Sequence, residues 1–94
     1  MSKKYPNIEG HIEISHDDNG IFIGGDPQGL RSLAELIKFL ADVNQEEISY
    51  MPDGERNHIH LQSGFPLSKN STDTEICRLD AKGTGEFPKR YKPA

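Results

Sequence analysis

Apolar and polar residues alternate along the first third of the chain. Ile8, Ile12 and Ile14 alternate with polar neighbours over residues 8–15, the period of a strand with one buried face. Gly10 falls on the apolar phase, where it marks either a bulge or a close packing contact. Asp17-Asp18-Asn19-Gly20 is a turn sequence, because Asn-Gly tolerates the positive φ of a tight hairpin. Ile21-Phe22-Ile23 then reads as the return strand, antiparallel to the first.

The period changes at Asp26. Its carboxylate suits a helix N-cap, and Pro27 suits the first helical position, which needs no N–H. Leu30, Leu33, Ala34, Ile37, Leu40 and Ala41 repeat at helical spacing, widened by Leu36 and Val43. A helix is predicted from about 27 to 44, with Glu35 and Lys38 spaced to pair weakly on its outer side. Residues 45–57 are polar, with a turn at Pro52-Asp53-Gly54. Within them Ile48, Tyr50 and Met51 form either a short strand or a cover for the core edge. His58-Ile59-His60-Leu61-Gln62 alternates as a third strand. Residues 63–71 read as a loop and 72–80 as a fourth strand, whose phase is open because Ile76 opposes Cys77 and Leu79.

The order ββαββ predicts an α+β fold: one four-stranded, largely antiparallel sheet with the helix packed on one face. Ile12, Ile14, Ile59 and Leu61 would face the helix. His11, Glu13, His58 and His60 would face away and leave a polar, open face. Residues 1–80 read as a single domain and 81–94 as a Gly/Pro-containing basic tail, solvated unless Phe87 and Tyr91 anchor it on the sheet.

Composition narrows the function classes. A chain of 94 residues has room for one core, not two. One cysteine, Cys77, excludes an intramolecular disulfide scaffold. Neither a signal-type apolar segment at Met1–Pro6 nor a membrane-length apolar run is present, so the cytoplasm is the expected compartment. Residues 1–80 carry 14 Asp/Glu against 7 Lys/Arg, while 81–94 carry Lys82, Lys89, Arg90 and Lys92 against Glu86. An acidic body argues against a broad nucleic-acid surface, which needs clustered cations. The same charge fits a basic protein partner, or solubility alone.

Few residues suggest chemistry. His58 and His60 point to one face and could ligate a metal, joined by His11 if the first and third strands are neighbours, with Glu13 or Glu75 as further ligands. The bland alternative is two half-exposed histidines. Cys77, beside Leu79 on a strand, reads as a small buried hydrophobe rather than a nucleophile. Gly24-Gly25-Asp26-Pro27-Gln28-Gly29 lacks phosphate-loop spacing, and an Asp26 cap would repel an anion, so it reads as a tight turn plus a cap. The acidic pairs Asp17-Asp18 and Glu46-Glu47 show no convergence with other carboxylates.

The segment Gly25-Asp26-Pro27-Gln28-Gly29-Leu30-Arg31-Ser32-Leu33-Ala34-Glu35-Leu36, followed by His58-Ile59-His60-Leu61, resembles the small bacterial proteins of immunity protein family thirty-two over about residues 21–80. That resemblance implies protection against a toxin delivered by neighbouring bacteria, through binding of a cognate toxin domain. The expectation is therefore a non-enzymatic protein-binding module in a bacterial cytoplasm. His11, Glu13, His58 and His60 are its expected contact residues, with no catalytic residue, metal or cofactor assigned. A small metal-binding protein built on the His-x-His pair is the alternative, or a homodimeric regulatory domain pairing through a sheet edge.

Overall fold

The computed structural model describes residues 5–91. The expectations that fall on Met1–Lys4 and on Lys92 and Pro93 lie outside the described residues. The first hairpin forms as its turn sequence dictates. Strand β1 (Ile12–Asp17) pairs antiparallel with β2 (Gly20–Gly25), placing Ile14 opposite Ile23 and His16 opposite Ile21. Asp17 Oδ1 accepts from Asn19 N at 2.8 Å, and Gly20 takes a φ of 128°, both needed to reverse the chain in two residues.

Helix α1 (Pro27–Asp42) begins at the Asp26 cap, whose Oδ1 accepts from Gly29 N at 2.7 Å. It ends two residues before the expected position, where Val43 turns to extended backbone. The apolar stripe is wider than the surface that covers it. Leu33, Leu36 and Leu40 are buried, whereas Leu30, Ala34, Ile37 and Ala41 are exposed, so Leu36 is central rather than marginal. Lys38 pairs with Asp42 one turn on, at 2.5 Å, instead of with Glu35.

The sheet departs most from expectation. There is no single four-stranded sheet: β1 and β2 form one sheet, and β3 (His58–Ser63), β4 (Pro66–Leu67) and β5 (Thr74–Cys77) form another, in the order β4-β3-β5. β5 is antiparallel to β3, and the two-residue β4 runs parallel to β3 where a loop was expected. The cause lies at the free edge of β1. Its Ile12 and Ile14 carbonyls accept from Ser68 N at 2.9 Å and Thr72 N at 2.7 Å. The chain after β4 therefore takes the hydrogen bonds that β3 would need in order to join β1.

Ile12, Ile14, Ile59 and Leu61 do face the helix, and with Leu33, Leu36, Leu40 and Leu67 they form the core. Tyr5, Ile8 and Ile76 pack against it. Gly10 and Gly29 let the chain before β1 cross the helix start. A Cβ on Gly29 would sit 2.1 Å from the His11 carbonyl oxygen, and one on Gly10, at φ +79°, 2.5 Å from Gly29 N. The close-contact alternative for Gly10 is the one realised.

Between α1 and β3, the short 3₁₀ turn Gln45–Glu47 is followed by non-strand chain in which Met51 is buried and Tyr50 exposed. Residues after Asp80 fold back onto this stretch. Lys82 is buried, and its Nζ donates to the carbonyls of Ile48 at 2.6 Å and Met51 at 2.5 Å. Gly83 N donates to Glu46 at 2.7 Å. Phe87 and Tyr91 stack edge-to-face on each other, ring centres 5.0 Å apart. Arg78 closes the far end of the helix: Nη1 donates to Val43 O at 2.6 Å, while Nε and Nη2 grip both oxygens of Asp80. No helix among the described residues is long and apolar enough to cross a membrane.

Candidate functional site

Strand alternation puts His58 and His60 on the solvent side of β3, with Ile59 and Leu61 turned to the core. The β3–β5 register then sets Cys77 directly opposite His58 and Glu75 directly opposite His60. Cross-strand partners share a face, so four side chains able to bind a metal stand together in solvent. One ligand atom from each of His58, Glu75 and Cys77 lies within 4.8 Å of the others. The His58 and His60 rings meet edge-to-face at 4.9 Å. His58 Nδ1 lies 3.0 Å from the Arg56 carbonyl, which can only accept, so Nδ1–H donates to it and, in the neutral ring, Nε2 is the nitrogen with the lone pair.

Cys77 is exposed, not the buried hydrophobe its neighbours suggested. The phase that sequence left open is fixed by Ile76, which turns inward against the core and sends Cys77 out. The thiol donates to the Arg78 carbonyl at 3.0 Å. Desolvation pushes its pKa up, the Glu75 charge adds to this, and Arg56 and Arg90 partly oppose it. A nucleophilic cysteine needs the opposite shift, so the free chain gives Cys77 no activation.

His11 and Glu13 stand apart from this cluster. They belong to the β1 side of the molecule, and β1 shares no ladder with β3. His11 Nδ1 is 2.8 Å from Asp26 Oδ2, an exposed contact at the helix start. The four residues expected to form one polar face are thus divided between two sheets.

A second feature was hidden in the sequence by its ordinary strand pattern. Ile21 and Ile23 lie on the face of β2 that continues the core, yet they are 77% and 55% exposed. The hairpin reaches past the end of what the helix covers. Together with Ile37 of α1 and Ile76 of β5 they line a groove of about 640 Å³ whose floor is Ile14 and Leu33. Asp17, Asp73 and Glu75 stand on its walls, with His16, and among the described residues no Lys or Arg lines it. The core is in effect left open between the edges of β2 and β5. Contiguous exposed apolar surface rimmed by charge marks an interaction site more often than chance exposure does.

No curated protein and no solved structure matches the chain. The family model for Immunity protein 32 matches residues 20–79, well over half of the sequence. The matched span holds β2, α1, β3, β4 and β5, and so Ile21, Ile23, Ile37 and Ile76 of the groove and the His58–Cys77 face; the chain belongs to the Immunity protein 32 family.

Proposed function

We propose that this chain is a non-enzymatic immunity protein that binds a toxin domain and neutralises it by seating a basic, apolar-tipped element of that toxin in the groove between β2, α1 and β5. The observation that carries this reading is the open core end, with Ile21, Ile23 and Ile37 exposed and an acidic rim. Burying an exposed isoleucine contributes at most about 1.5–3 kcal/mol. Three such residues do not clearly exceed the roughly 4–15 kcal/mol that association costs in lost freedom. The rest of the contact must come from outside the groove, and charge is the available means. Asp17, Asp73 and Glu75 lie on the groove walls in a body with 14 acidic residues against 7 basic ones over residues 1–80. A nuclease toxin must present cations to hold phosphates, and an acidic cover would both steer to that surface and block it.

The footprint runs from the groove across Glu75 to His60 and His58. His11 and Glu13, the other two contact residues expected from sequence, fall outside it. The test is direct mixing of the purified chain with a candidate cognate toxin domain taken from a neighbouring gene. A one-to-one complex is expected, with an association rate that falls steeply as salt is raised. The absence of a complex at micromolar concentrations of both proteins would overturn the reading.

A further inference from the structure

We propose that His58, Cys77 and Glu75 form a surface site for a zinc-class divalent cation across the β3–β5 ladder, with His60 beside it. The site shares His58, His60 and Glu75 with the proposed toxin footprint, but its geometry and its test need no toxin.

Three features of the geometry carry it. First, the donors come from two strands whose register fixes their spacing, His58 opposite Cys77 and Glu75 two residues from Cys77 on the same face. Their ligand atoms already lie within 4.8 Å of one another. Tetrahedral zinc with bonds of about 2.0–2.3 Å holds its ligands roughly 3.5 Å apart. All three residues are exposed, so small side-chain rotations can close the remaining distance. Second, His58 keeps one ring nitrogen free. Its Nδ1–H is tied to the Arg56 carbonyl, which leaves Nε2 to bind, the arrangement by which metal-binding histidines are commonly held. Third, the donor set of imidazole, thiolate and carboxylate suits zinc and its neighbours and not magnesium or calcium, which prefer oxygen.

Charge also balances. Binding displaces the Cys77 proton to solvent, and thiolate plus carboxylate then offset the two charges of the cation. Arg56 and Arg90 are the cations near the thiol. Arg56 is engaged by the Leu79 and Glu86 carbonyls, at 2.6 Å and 2.8 Å. Three protein donors at an exposed site leave a fourth position open, to His60 or to a donor from outside.

The test uses full-length protein freed of any tag. Cobalt(II) titration should produce a thiolate-to-cobalt charge-transfer band at one equivalent, and zinc should abolish it by displacement. Cys77→Ser and His58→Gln should each weaken zinc binding roughly tenfold or more. His11→Asn, at a histidine bound to Asp26 and apart from the cluster, should leave zinc binding unchanged. As a check that needs no variant, zinc should slow alkylation of Cys77 in the native chain. Absence of the band, binding unchanged in Cys77→Ser, or unprotected alkylation would overturn the site.

Discussion

Asp26 Oδ2 lies 2.8 Å from His11 Nδ1, while Oδ1 of the same carboxylate accepts from the backbone N–H groups of His11 and Gly29. One side chain thus caps the helix and fastens the chain before β1 to it. These bonds, the His11 side chain first, hold the carboxyl down to about 2 from its ordinary 3.8. A depressed carboxyl contributes stability that is full above the unfolded value and is lost as pH falls through the folded one. Stability should therefore drop between about pH 4 and pH 2, less steeply at high salt because the contact is exposed. Asp26→Asn keeps an acceptor at the cap and should flatten this part of the urea-midpoint profile. Asp26→Ala should lower the midpoint at every pH.

Gly29→Ala tests the crossing at the helix start. The new Cβ would meet the oxygen, carbon and nitrogen of His11 at 2.1, 2.7 and 2.8 Å, all backbone atoms that cannot rotate away. Despite the better helix propensity of alanine, the variant should lose about 2–3 kcal/mol in urea unfolding. A neutral or stabilising result would show that the N-terminal segment is not held against α1.

Arg78→Lys tests the other end of the helix. The single nitrogen of a lysine cannot reproduce the fork in which three guanidinium nitrogens reach Val43 O and the two Asp80 oxygens. A loss of about 2 kcal/mol is expected, moderated by the partial exposure of Asp80. Equal stability of the two proteins would remove Arg78 from the account.

Ile21→Ser should behave differently from a core change. Its side chain is largely in solvent, so stability should stay within about 0.5 kcal/mol of the parent. Affinity for a groove partner should nonetheless fall at least tenfold. Ile14→Ser, at the buried groove floor, should instead destabilise the fold by several kcal/mol.

Elements whose causes are local were legible in the sequence. Asp26 and Pro27 announce the helix start, Asp17–Gly20 announce the hairpin, and Ile59 and Leu61 announce the inward face of β3. What sequence missed depends on distant partners. Pro66–Leu67 looks like loop because its pairing with Gln62 and Ser63 is parallel and only two residues long. The split of the sheet follows from Ser68 and Thr72 taking the edge of β1, which no pattern within β1 signals. The groove was invisible for a related reason. Ile21, Ile23, Leu30 and Ile37 have the spacing of core residues, and only the position of the neighbouring elements leaves them uncovered. The His58–Cys77 pairing required the β3–β5 register, although His58, His60 and Glu75 could be named as metal-ligand candidates beforehand.

Neutralisation of a toxin through the groove is read out by growth of a sensitive bacterium expressing a candidate cognate toxin domain. Co-expressed parent protein should restore growth, and an Ile21→Glu, Ile37→Glu double variant that folds normally should not. Rescue by the double variant equal to the parent would place the inhibitory surface elsewhere. Failure of the parent to rescue would contradict the immunity role itself.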